Sequence, residues 1–155
     1  MKAAEITDSL IGALESQKFR HLRVNYANGD MVGHTGFRDS AVQAVEAVDL
    51  SIGRLLPVIE RLEGALIVTA DHGNADQMFE LDKKGGILLD DAGKAVVKTS
   101  HTLNKVPFLV YAPSTKLRFD TSVPKPGLAN VAASVLYLLG LEAPEDYERS
   151  LLQKA

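Results

Sequence analysis

A long helical pattern at residues 38–62 separates two short apolar segments, residues 22–27 before it and residues 65–70 after it. Within the pattern, Ala41, Val45, Val48, Ile52, Leu55, Leu56 and Ile59 recur at i, i+3/i+4 spacing and mark one apolar helix face. Residues 65–70 are short, continuous and β-branched, the composition of a strand buried on both faces. Strand, helix and strand joined by a few residues predict a parallel crossover, hence an α/β fold with helices on the faces of a sheet. Pro57 is expected to kink the helix or end its first segment, and Gly64 to stop it.

The rest of the chain fits around this unit. Residues 2–17 carry Ile6, Leu10, Ile11, Ala13 and Leu14 as a first helical stripe. Residues 106–111 read as a third core strand, and residues 128–139 as a helix with Val131, Val135, Leu138 and Leu139 on one face and Gly140 closing it. Residues 74–80 suggest one or two helical turns. Residues 82–98 suggest a surface β-hairpin inserted about the Asp90-Asp91-Ala92-Gly93-Lys94 turn. Residues 116–126 read as loop, and residues 141–155 as a tail that docks through Leu151-Leu152. No repeat or linker is evident, so residues 1–155 are expected to form a single domain. The chain opens on a helix with no leading strand, which suggests a piece of a larger α/β unit.

Composition narrows the function classes. A net charge of −3 offers no basic surface to nucleic acid. The absence of cysteine excludes disulfides and thiolate metal sites and fits a cytoplasmic protein. No signal peptide is evident, and no apolar run approaches the roughly 20 residues of a membrane span.

Three of the four histidines lie in loops at the expected strand ends. Asp30 and His34 follow the first strand in Asn25-Tyr26-Ala27-Asn28-Gly29-Asp30-Met31-Val32-Gly33-His34-Thr35-Gly36. Asp71 and His72 follow the second in Thr69-Ala70-Asp71-His72-Gly73-Asn74, and His101 precedes the third in Ser100-His101-Thr102. Singly, each motif is commoner as a capped turn than as a metal site. Together they put ligation on a par with that reading, because ligands of open parallel sheets collect beyond the carboxyl ends of the strands. Mixed Asp/His ligation suits Mn²⁺, Zn²⁺ or Fe²⁺ better than Ca²⁺. Two such ions about 3.5–4 Å apart would grip a phosphoryl group from both sides. His21 reads as a surface residue, Met31 and Val32 as packing residues that seat the loop, and Asn74 and Thr102 as loop-shaping groups around the ligands. Ser100 is a nucleophile by type alone, with no visible activation except the neighbouring His101.

The same three motifs, with Val106-Pro107-Phe108 after the last, resemble those of cofactor-independent (2,3-bisphosphoglycerate-independent) phosphoglycerate mutases, of the alkaline phosphatase superfamily. The resemblance runs from the first helix to Ser150-Leu151-Leu152. It implies a three-layer α/β/α fold with a mostly parallel sheet, here truncated. It implies glycolytic interconversion of 2- and 3-phosphoglycerate through a phosphoserine, with two Mn²⁺ per intact enzyme and Mg²⁺ or Zn²⁺ as substitutes. Asp30, His34 and His101 would hold one ion, and Asp71 and His72 would contribute to the second. Family members are much longer. Their nucleophilic serine, a further metal-binding aspartate, a phosphate-site lysine and the arginine-rich substrate clamp have no counterpart in this chain. Tyr147-Glu148-Arg149 also departs from the family's usual approach to the tail. The chain is therefore expected to be the C-terminal part of the phosphatase-like domain, inactive alone and self-associating through the truncated sheet. The readings kept beside it are a phosphopentomutase or metal-dependent phosphatase, a non-catalytic metal-binding module, and two chains completing one site.

Overall fold

The computed structural model describes residues 2–155. In chain order the elements are α1 (Ala3–Glu15), α2 (Asn28–Gly33), α3 (Arg38–Arg61), β1 (Leu66–Thr69), β2 (Phe108–Tyr111), β3 (Leu117–Phe119), α4 (Ala129–Leu138) and β4 (Leu152–Lys154).

Helices α1 and α2 both pack on α3. Small side chains bring them close: Ala3 and Thr7 are buried on α1, and Ala41, Ala44 and Ser51 on α3, with Leu55, Val58 and Ile59 continuing the buried face. Ala41, Leu55 and Ile59 thus lie inside as the periodicity predicts, whereas Ile6 and Val45 do not. Val42, Val45 and Leu50 are exposed along α3, and no described element covers them. Helix α3 runs without a break through Pro57. The proline ring presses on the carbonyl four residues back, which belongs to Gly53; both residues are exposed, so the unpaired carbonyl faces solvent. Glu63, not Gly64, takes the left-handed turn that ends the helix, at φ 52°. The Gly64 amide then donates to Ile59 O at 2.8 Å and the Glu63 amide to Glu60 O at 3.0 Å, satisfying two terminal carbonyls.

The strand pairing departs from the expected crossover. Residues 22–27 form no ladder among the described residues, and β1 pairs antiparallel with β2, from Leu66 opposite Tyr111 to Thr69 opposite Phe108. Chain direction explains this. The connection from Thr69 to Phe108 is an irregular excursion that goes out and returns at the same end of the ribbon, not a helix that carries the chain to the far end. The loop after β1 and the loop before β2 therefore lie side by side.

The excursion holds more than a hairpin. Phe79 bridges Val97, Leu81 bridges Ile87 and Leu89 bridges Ala95. A short stem and two hairpins meet where the Glu80 amide donates to Val96 O (2.9 Å), Val96 to Leu88 O (2.9 Å) and Leu88 to Glu80 O (2.8 Å). This closed triangle makes a three-lobed cloverleaf over residues 78–98. Both hairpin turns have one design. Asp82 Oδ1 accepts the Lys84 and Gly86 amides at 2.7 and 2.9 Å, and Asp90 Oδ1 accepts the Ala92 and Lys94 amides, both at 2.9 Å. Residues 81–88 and 89–96 are thus a short repeat, Leu-Asp-x-x-Gly, where none was expected. Of residues 74–80, only a turn at Asn74–Gln77 is present; the rest enters the stem.

The C-terminal tail docks as a strand. β4 pairs antiparallel with β3, inside the segment expected to be loop, and Leu152 is buried. The innermost residues of α4 are Asn130, Ala133 and Ser134, not its aliphatic stripe. Asn130 Nδ2 donates to Arg149 O at 2.7 Å and Ser134 Oγ accepts the Leu151 amide at 2.9 Å, so α4 holds the backbone of the tail by hydrogen bonds. Asp120 accepts from Ser122 and from the Arg149 guanidinium at 2.8 Å. These bonds lower its carboxyl pKa, Ser122 contributing most and Arg149 less.

Candidate metal centre

The segment after residues 22–27 is a short helix. Asp30 and His34 are four residues apart on α2 and its C-cap, hence on one face. His34 Nε2 stands 3.2 Å from Asp30 Oδ1. His101 arrives from the loop before β2, with its Nε2 3.1 Å from the same oxygen. One donor atom from each of Asp30, His34 and His101 lies within 4.8 Å of the others. Two imidazoles and a carboxylate are a donor set that suits a borderline-soft divalent ion.

His72 lies beside this group. Its ring stacks on that of His101 at 3.6 Å between centroids and 12° between planes. The backbone favours the stacking: Gly73 and Thr102 form an antiparallel bridge, with the Thr102 amide donating to Gly73 O at 2.9 Å, which makes His72 and His101 diagonal neighbours on one face. Asp71 accompanies His72, with 3.6 Å between Oδ1 and Nε2, but its side chain is 81% exposed and stands apart from the three converging donors.

The surrounding loops are crowded. A Cβ on Gly73 would lie 2.1 Å from Thr102 Oγ1 and 2.6 Å from Asp76 Oδ1. Thr102 is buried and its hydroxyl donates to Asp76 Oδ2 at 3.2 Å, while Asn104 Nδ2 donates to the same oxygen at 2.6 Å. This latch, built on Asp76 and Asn104, was not anticipated from the sequence. Its signal was a polar residue four positions beyond His72 and another three positions beyond His101. Gly36 has φ 71°, and a Cβ there would lie 2.4 Å from Val97 Cγ2, so the cloverleaf stem abuts the turn after His34. Tyr26 ties the start of the motif to α1. Thr7, fully buried, gives its hydroxyl hydrogen to Ala3 O, so Tyr26 OH donates to Thr7 Oγ1 at 2.7 Å. Asn74 and Thr102 are buried in the loops they were expected to shape; His21 is exposed as expected, whereas Met31, expected to pack, is 60% exposed.

A sequence model described as the metalloenzyme superfamily matches residues 1–143. The chain belongs to the metalloenzyme superfamily. A Leptospira interrogans protein named as a probable 2,3-bisphosphoglycerate-independent phosphoglycerate mutase is 52% identical over 153 residues, covering 99% of this chain and 28% of that protein. The 2,3-bisphosphoglycerate-independent phosphoglycerate mutase of Trypanosoma brucei brucei is 44% identical over 157 residues, covering 100% of this chain and 28% of the relative. A crystal structure of Leishmania mexicana phosphoglycerate mutase, at low cobalt concentration, superposes with a TM-score of 0.95 and 44% identity over 100% of this chain and 29% of that one. The chain thus spans between a quarter and a third of the length of these relatives, and over that span it has the alkaline-phosphatase-like α/β fold. The fold class read from the sequence therefore holds, although the pairing of β1 with β2 is antiparallel.

Proposed function

We propose that this chain is the metal-holding part of a 2,3-bisphosphoglycerate-independent phosphoglycerate mutase, which interconverts 2- and 3-phosphoglycerate in glycolysis. The convergence of Asp30, His34 and His101 on one point carries this reading, and the mutase relatives at 44–52% identity supply the substrate. Asp30, His34 and His101 would hold one Mn²⁺, and Asp71 with His72 would contribute to a second. Such ions supply charge for phosphoryl oxygens and for a departing alkoxide. The protein's own part is to keep two imidazole nitrogens and one carboxylate oxygen aimed at a common point. The Gly73–Thr102 bridge does this for His101, and the four-residue step along α2 puts Asp30 and His34 on one face. No serine of this chain is assigned the phosphoryl-accepting role.

The reading extends to a cytoplasmic setting, where glycolytic substrates occur; no described helix is long and apolar enough to cross a membrane. It also includes self-association. Val42, Val45 and Leu50 on α3 and Leu109 on β2 are exposed, and β1 and β2 each keep one unpaired edge. Size-exclusion chromatography with light scattering should give a mass above 16.7 kDa that rises with concentration. A constant monomer mass would count against it.

The function is tested by grafting. Replacing the matching segment of the Trypanosoma brucei brucei mutase by this chain should retain phosphoglycerate interconversion in the presence of Mn²⁺. His34→Ala or Asp71→Asn in the graft should abolish it. A folded graft with no turnover, or turnover indifferent to His34→Ala, would contradict the proposal.

A further inference from the structure

We infer that Asn74 is a positioning residue that holds Asp30 and His34 in register for a divalent ion, and that Gly33 is glycine because the Asn74 carboxamide lies against it. The inference rests on the metal reading above and assigns a residue outside the ligand set. Asn74 is 8% exposed. Its Nδ2 donates to Asp30 Oδ1 at 3.1 Å and lies 3.0 Å from His34 Nε2 and 3.3 Å from His34 Nδ1. One amide group from the loop after β1 thus touches both candidate ligands carried by α2. A Cβ on Gly33 would stand 1.9 Å from Asn74 Oδ1 and 2.9 Å from its Cγ, so any larger residue there must displace the carboxamide.

Helix α2 needs such a tie. It has six residues and no side-chain cap, too short to be stable by itself, so the directions of Asp30 and His34 depend on outside contacts. An amide suits the place. It donates to the carboxylate without a positive charge that would repel a cation, and it leaves the second carboxylate oxygen free. His72 stacks on His101 and Asp71 is turned to solvent, so neither performs this task for α2.

The test is calorimetric titration of the chain with Mn²⁺, comparing wild type, Asn74→Ala, Gly33→Ala and the double variant, with metal-free melting curves alongside. Each single variant should weaken Mn²⁺ binding about 10–100-fold, the usual effect of losing an outer partner of a metal ligand, with stoichiometry unchanged. The double variant should bind no more weakly than the worse single one. Both substitutions remove the same contact, and truncating Asn74 removes the Oδ1 and Cγ atoms that lie nearest a methyl on Gly33, at 1.9 and 2.9 Å. A merely structural role would lower melting temperatures and leave affinity in place. Wild-type affinity in Asn74→Ala, or losses that multiply in the double variant, would overturn the inference while the metal reading stands. A wild-type chain that takes up no Mn²⁺ would overturn both.

Discussion

The histidine loops and the cloverleaf both depend on glycine, for different physical reasons. Around the histidines, Gly33 at the end of α2 and Gly73 in the loop after β1 have no positive φ, but a Cβ on either would fall within 2.1 Å of a neighbouring side-chain oxygen. In the cloverleaf, Gly85 and Gly93 face open space, yet their φ values of 82° and 75° belong to the left-handed region. One region is constrained by neighbours and the other by its own backbone. A site that must bring three loops together needs close approach. An exposed excursion needs only to turn.

Gly73→Ala should have the largest effect. The methyl group must push Thr102 and Asp76 apart, breaking the bridge that brings His101 to Asp30. Overpacking of this kind costs about 1–3 kcal/mol, and Mn²⁺ affinity should fall at least tenfold. Thermal melts and Mn²⁺ titration on one preparation read both; unchanged affinity would show that the two loops are not coupled.

Gly36→Ala joins the two regions, since it combines φ 71° with a Cβ only 2.4 Å from Val97 Cγ2. Val97→Ala in the same chain should restore part of the lost affinity by removing the collision, while the backbone strain persists. No restoration would mean that the cloverleaf stem does not bear on the site.

Gly85→Ala and Gly93→Ala should each cost about 1–2 kcal/mol through left-handed strain alone. Mn²⁺ affinity should stay at the wild-type value. If either variant weakens binding, the two hairpin turns are not as independent of the site as their open surroundings suggest.

The smallest effect lies at the far end of the molecule. The Asp120 carboxyl sits below its ordinary 3.8 in the folded chain. A depressed carboxylate pKa stabilises the fold above the unfolded pKa, and that contribution is lost as pH falls through the folded value. Asp120→Asn should lower the melting temperature slightly near neutral pH, and the difference from wild type should shrink on acidification below 3.8. A difference independent of pH would assign the effect to shape, not charge.

The sequence made the helices and the shared face of Asp30 and His34 legible because both rest on local spacing. The stripe through Ala41, Leu55 and Ile59 and the four-residue step from Asp30 to His34 need no knowledge of distant parts. Strand direction did not show, because it depends on where a long irregular connection returns. Residues 65–70 and 106–111 look alike whether they pair parallel or antiparallel. Burial was read poorly wherever polar residues do the holding: Thr7, Asn130 and Ser134 lie deeper than the leucines and valines beside them, because each satisfies a buried backbone or hydroxyl group. The cloverleaf was half legible. Its second turn has an evident Asp-Gly pattern, but the triangle at Glu80, Leu88 and Val96 is a tertiary closure that no local pattern announces.

The most direct test of the convergence of Asp30, His34 and His101 is an electron paramagnetic resonance titration of Mn²⁺ into the chain, with His34→Ala beside it. Loss of the free-ion signal should end at one tight site per chain in the wild type, and the variant should leave the ion free. A wild-type chain that leaves all Mn²⁺ free, or a His34→Ala variant that binds as well as wild type, would contradict the account.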